Sequence, residues 1–202
     1  MCPAKPDQFE VLYQQFHSPI TAFNCGERCA PYNERGVPFC CDTHHAVPSV
    51  YAAEWQYLES NTDLWHPWKP EAGGSSSRLR SLLPEEQVLV ECLGHALCQR
   101  SFRSITCRSF PFFPYLSTEG EFLGLSYYWE FEDRCWVISH LEKVTPTYLE
   151  EFVRTYEKLF ELFPDEIENF RYHSTRMRRL FEWMKRAVPL LHRNGYLYKI
   201  TP

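Results

Sequence analysis

The sequence predicts an α+β fold: an irregular, cysteine-rich, metal-centred core with short strands, and two helices packed across it at the C-terminal end. Three observations predict it. Eight of the nine cysteines fall between Cys25 and Cys135, in stretches interrupted by proline and glycine that cannot form long regular elements. Short runs rich in aromatic and β-branched residues lie among and after them. Beyond Thr145 come two long stretches with apolar residues at helical spacing. The chain divides accordingly into a cysteine-cluster domain over 1–144 and a helical extension over 145–202.

In order, Phe9, Leu12, Tyr13 and Phe16 stand at i, i+3, i+4 and i+7, which predicts a docking helix over 7–17. The loop after it holds Cys25, Cys29, Cys40 and Cys41 among Gly26, Pro31, Gly36 and Pro38. It has no hydrogen-bond ladder of its own, so thiolates on a metal are expected to order it. Pro48 at a first-turn position, followed by Val50, Tyr51, Trp55 and Leu58, predicts a helix over 48–59. The glycine-serine run at 73–77 reads as a mobile surface loop. Val88, Val90 and Cys92 alternate as a strand over 87–93.

From Cys107 to Leu116 the prolines Pro111 and Pro114 predict a stiff, extended shelf, with Cys107 at its start and Arg108 placed to give thiolates charge or hydrogen bonds. Residues 121–131 and 135–139 read as strands with a turn near Asp133-Arg134. Thr145-Pro146 opens a helix that Pro164 ends, a second helix covers 165–187, and 195–200 closes as a strand.

The composition narrows the function. A net charge of -5 disfavours nucleic acid and anionic membrane, which both need a positive field. No run approaches the roughly 20 apolar residues of a membrane span, and Asp7 and Glu10 interrupt any leader peptide. The expectation is therefore cytoplasmic. There thiols stay reduced, and clustered cysteines point to metal.

The spacings are Cys25-x3-Cys29-x10-Cys40-Cys41, then Cys92-x5-Cys98-x8-Cys107, then Cys135; Cys2 is set aside at the terminus. Soft thiolates select zinc, copper(I) or iron-sulfur clusters, and eight suffice for two four-sulfur sites or for one four-iron cluster with four to spare. Cys25, Cys40, Cys41 and Cys107 are the expected innermost ligands, with Cys29, Cys92, Cys98 and Cys135 next. His44, His45 and His95 stand near enough in sequence to complete a mixed site. A radical S-adenosylmethionine motif starting at Cys25 fails at Tyr32, where it needs a third cysteine. The basic run from Arg171 to Arg186 has Glu166, Glu168 and Glu182 on the same helix to pair with it and reads as a solvated helix face.

Cys107-Arg108-Ser109-Phe110-Pro111-Phe112, following a Cys-Cys pair and two spaced cysteines, resembles the cysteine-cluster family with the signature Cys-x-x-Cys-x-x-Cys-Cys, described as zinc- or iron-chelating domains. The likeness runs from about Phe23 to Cys135; the first block departs from it, since Cys25 and Cys29 are three residues apart and ten residues precede Cys40. The resemblance implies a domain that chelates zinc or iron; a metal-handling protein that donates the ion to a protein partner is one function class open to such a chain. Flagellin lysine methylases, which resemble the family and carry an iron-sulfur cluster, imply an enzyme as the alternative. A thiol redox sensor built on Cys40-Cys41 is a further reading.

Overall fold

The computed structural model describes residues 5–69 and 86–201; the 73–77 run and Cys2 lie outside them. Helices and antiparallel sheet are mixed along the chain, as an α+β fold requires. The helices are α1 (Pro6–Gln15), α2 (Gly26–Cys29), α3 (Ala52–Asn61), α4 (Ile105–Ser109), α5 (Pro146–Leu162) and α6 (Asp165–Trp183). The strands are β1 (Ser49–Tyr51), β2 (Trp65–Pro67), β3 (Gln87–Cys92), β4 (Phe112–Leu116), β5 (Phe122–Tyr127), β6 (Val188–His192) and β7 (Leu197–Ile200).

Two sheets result. In the smaller, β3 lies between β1 and β2, pairing Val50 with Val88 and Trp65 with Cys92. The larger has the order β4-β5-β6-β7 and joins strands from both sides of position 144. Its β4 is buried at every residue, and α5 and α6 cover the same core. The apolar stripe of α5 does this directly, with Phe152 and Leu159 fully buried and Tyr148 and Tyr156 nearly so. Thr145 caps its first turn by accepting from the Tyr148 N–H at 3.2 Å. The β6-β7 hairpin turns through Asn194-Gly195, with Gly195 at φ 88° and the His192 carbonyl accepting its N–H at 2.8 Å.

Several local expectations are corrected. Cys107 lies in a helical turn and not on an extended shelf: Ser104 caps α4 by accepting from the Cys107 N–H at 3.1 Å. Pro111 fixes its own φ and restricts the residue before it but reaches no further back, so the helix needs to end only by Phe110, and the chain is extended from Phe112 onward. Residues 135–139 are not a strand; Trp136–Lys143 forms 3-10 turns, and His140 stacks on Trp136 at 3.9 Å, a contact between residues four apart. The strand over 121–131 stops at Tyr127, and a 3-10 turn follows at Trp129–Phe131.

At 48–59 the first residues pair with β3 as β1, and the helix begins only at Ala52. The last helix ends at Trp183 instead of 187, where Lys185 takes φ 53°. Val188–His192, unassigned in the sequence reading, pairs with both β5 and β7.

The cysteine loop is tied by a carboxylate. Asp42, 3% exposed, accepts from Asn33 Nδ2 at 3.0 Å, from the His44 N–H at 3.0 Å and from Arg35 Nη1 at 3.3 Å. One of these bonds satisfies a backbone N–H, and the other two tie Asn33 and Arg35 to the end of the loop.

Candidate metal centre

Each cysteine is placed by a short element. Cys25 precedes α2 and Cys29 ends it, four residues on and so on the same face. Cys40 and Cys41 sit in the 3-10 turn Phe39–Cys41, whose preceding Pro38 packs tightly on Gly26. A β-carbon at Gly26 would stand 2.9 Å from the Pro38 ring, so the two cysteine segments meet where a larger residue would separate them. Cys92 ends β3, Cys98 follows the turn His95–Leu97, Cys107 lies in α4, and Cys135 precedes the Trp136–Lys143 turns.

Five of them share a cavity. Cys40, Cys41, Cys92, Cys98 and Cys107 border a space of about 300 Å³, together with Arg103, His95 and Glu91 and with walls from Trp65, Phe110 and Phe131. Trp65 is fixed there by its indole N–H, which donates to the Phe102 carbonyl at 2.7 Å. The other three cysteines stand outside this cavity. Cys25 borders a second cavity that also touches Cys107, and Cys29 and Cys135 border a third. Cys107 is thus part of the wall between the first two. Of the expected innermost four, Cys40, Cys41 and Cys107 border one cavity, while Cys25 borders only the second, which Cys107 also lines.

The described thiols are free, and the Sγ atoms of Cys40 and Cys41 are 3.9 Å apart. Among the described residues, no three His, Cys, Asp or Glu side chains converge closely enough to hold an ion as they stand.

The thiols burden one another electrostatically. Burial pushes the Cys107 thiol up to about 12, with Cys41, Cys98 and Cys92 adding to the rise against the opposing pull of Arg103. Cys135 is pushed up to about 12 by burial, then by Cys25 and Cys29. Cys25, Cys29 and Cys92 are raised chiefly by burial, and Cys40 rises because it donates to Cys41. Cys41 is the exception: that donation, helped by Arg103, holds it at about 7. Six thiols therefore keep their protons at neutral pH unless a cation displaces them.

The arginine beside the sulfurs is Arg103, which sequence reasoning did not single out. Its Nε donates to Cys98 Sγ at 3.0 Å. The role expected of Arg108 falls to it. Arg108 is turned away into backbone: its Nε donates to the Arg103 carbonyl at 2.7 Å, its Nη2 to the Ser101 carbonyl at 2.7 Å and its Nη1 to those of Tyr13 and Phe16. Both arginines lie within five residues of Cys107, and only the tertiary path of α1 separates their roles.

Of the candidate histidines, His95 borders the five-cysteine cavity. His45 packs edge-on against Phe39 at 4.9 Å, with Nδ1 3.4 Å from Arg134 Nη1. His44 uses its backbone N–H on Asp42.

Behind α4 lies Glu54, fully buried. One carboxylate oxygen accepts from Tyr13 OH at 2.7 Å and from the Ile105 N–H at 2.7 Å, which ties α3 to the start of the helix bearing Cys107; the other has no partner. Burial pushes its carboxyl up to about 7. The folded chain then holds a proton at pH values where an unfolded glutamate, near 4.5, has lost it. Stability from this group is greatest below about pH 4.5 and is lost as pH rises towards 7, by about 3 kcal/mol in all. Glu54→Gln, which cannot ionise, should therefore match the parent near pH 4.5 and exceed it by about 2–3 kcal/mol at pH 8. Urea midpoints of both proteins across that range measure the difference, and parallel curves would exclude it.

Compared with protein-family models, with curated proteins and with solved structures, the chain matches none.

Proposed function

We propose that this chain is a metal-binding protein that holds zinc or iron through thiolates gathered at the five-cysteine cavity. What carries the reading is that five cysteines from four separate segments border one space of about 300 Å³. Isolated core cysteines behave as small apolar residues and have no reason to share a cavity. The donor set fits a soft ion: all-sulfur coordination suits zinc or an iron-sulfur cluster, and Arg103 offsets the charge such a centre would leave. Rotation about χ1 re-aims a cysteine Sγ without moving the backbone, so closing a site asks for side-chain changes first.

Bound metal would deprotonate its ligands and hold Cys40, Cys41 and Cys107 against Cys92 and Cys98. Because the buried thiols resist ionisation, binding would release protons and weaken as pH falls. Zinc held by four thiolates would be structural; an iron-sulfur cluster would add electron-transfer or Lewis-acid chemistry. Metal transfer to a protein partner belongs to this same reading.

The test is elemental analysis with a visible spectrum on protein purified without oxygen or added metal. About one zinc per chain, or about four irons with a brown chromophore, is the expected outcome. Metal-free, colourless and fully folded protein that takes up neither ion would refute the reading.

One observation favours a second reading, a thiol redox sensor. Cys41, held at about 7, is the thiol most ready to react at neutral pH, and Cys40 stands 3.9 Å away to capture its oxidised form. Metal-free protein in which peroxide consumes two thiols at once, mapped to Cys40 and Cys41, would put this reading first.

A further inference from the structure

The second cavity, about 450 Å³, lies on the far side of Cys107, between the 16–25 segment and the turns at 100–103. We propose that it is a binding site for a small molecule presenting a carboxylate or phosphate group. The inference goes beyond the metal reading and does not depend on it.

Charge is the first argument. Arg100, Arg103 and Arg108 all line this cavity, and among the described residues no Asp or Glu does. The chain as a whole has 26 acidic residues against 21 lysines and arginines, so three arginines around one space run against its composition. A concave, low-dielectric wall of one sign concentrates ligands of the other.

The second argument is which donors remain available. Arg108 is occupied with carbonyls. Arg100 and Arg103 are each pinned by Nε alone, Arg100 on the His17 carbonyl at 2.9 Å and Arg103 on Cys98 Sγ at 3.0 Å. Their terminal nitrogens make no hydrogen bond to another described residue. A guanidinium held this way has lost part of its freedom before a ligand arrives, and it presents its Nη pair as the fork that fits an oxyanion bidentately.

A third argument removes the local alternative. Glu151, the carboxylate at this rim, accepts from the His17 N–H at 2.8 Å, the Ser18 N–H at 2.6 Å and Ser18 Oγ at 2.9 Å. It fixes the loop that forms one wall and forms no ion pair with Arg100. Arg103 is explained in part by the sulfurs it touches; Arg100 touches none, and its one bond is to a carbonyl. The cavity exceeds what inorganic phosphate fills, and its size falls in the range of metabolite sites.

The experiment follows arginine Nε–H and His17 ring signals by NMR in the full chain, titrated with inorganic phosphate, with succinate and with neutral succinamide. Phosphate, succinate or both should shift the Arg100 and His17 signals saturably with a Kd of about 10 mM or tighter. Succinamide and sodium chloride of matched ionic strength should not. Whichever anion responds identifies the group recognised. Arg100→Gln should weaken binding at least tenfold, and Arg100→Lys, which keeps charge without the fork, should fall between; metal content should be the same in all three proteins. No saturable shift with either anion would overturn the proposal. So would an equal response to chloride, or undiminished binding in folded Arg100→Gln.

Discussion

Replacing Arg108 with methionine is expected to cost about 3–5 kcal/mol of stability, enough to unfold a marginal domain. The side chain is 7% exposed, and methionine has similar reach, so packing volume changes little. What disappears is a set of bonds that nothing else can make. The guanidinium takes the carbonyls of Tyr13 and Phe16 at the C-terminal end of α1, where a helix leaves acceptors without partners and where a cation is favoured. It takes those of Ser101 and Arg103 on the other side. It also lies over the Tyr13 ring, 4.4 Å from its centroid. Each buried acceptor left bare costs about 1–3 kcal/mol, offset where water reaches the exposed Ser101 end and at Tyr13, whose carbonyl also accepts the Phe16 N–H at 3.4 Å.

Arg108→Lys should recover only part of this, because one ammonium cannot span four carbonyls that converge from two segments. Urea denaturation with a constant slope is the measurement. A loss under about 1 kcal/mol would show that solvent replaces the guanidinium and that α1 is held well enough by its other contacts. The Tyr13–Glu54 bond to α3 and the Arg154 bond to the Gln15 carbonyl would be among them.

The helices were legible because their apolar residues recur locally. Phe9, Leu12, Tyr13 and Phe16 are all buried, and the α5 stripe packs as its spacing predicts. The misread segments share a different cause. Val137 and Ile138 look like strand residues and are buried as such residues should be, but no strand among the described residues pairs with them, and β propensity means little without one. Val188–His192 follows a helix without a glycine between, and Pro189 argues against a central strand; it is tolerated where its missing N–H faces away from the ladder.

At the site, sequence order identified cysteines that come together but not how they divide. Cys29 and Cys135 face a cavity that excludes the other six, a separation set by how α2 docks on the Trp136–Lys143 turns. Arg103 and Glu54 gave no signal in the sequence because each acts through partners 5 to 51 residues away, and only packing brings those together.

Cys107→Ser is expected to reduce bound metal by well over half and to lower thermal stability by several degrees. Among the described cysteines, Cys107 alone borders both the five-cysteine cavity and the cavity lined by Cys25, so either grouping of ligands uses it. Serine oxygen is a poor ligand for the soft ions that thiolates select. Its smaller size costs little in packing, and the Ser104 cap that holds α4 uses the backbone N–H, which the substitution keeps. Helix content should therefore survive while metal is lost. Cys135→Ser gives the comparison: Cys135 faces the third cavity, so it should cost much less metal if the five-cysteine cavity is the centre. Equal losses from both would mean that the ion draws ligands across the wall between the cavities, joining Cys25, Cys29 and Cys135 to the others. Full metal content in Cys107→Ser would remove the cavity as the site, and the cysteines around it would then be packing residues whose shared location needs another cause.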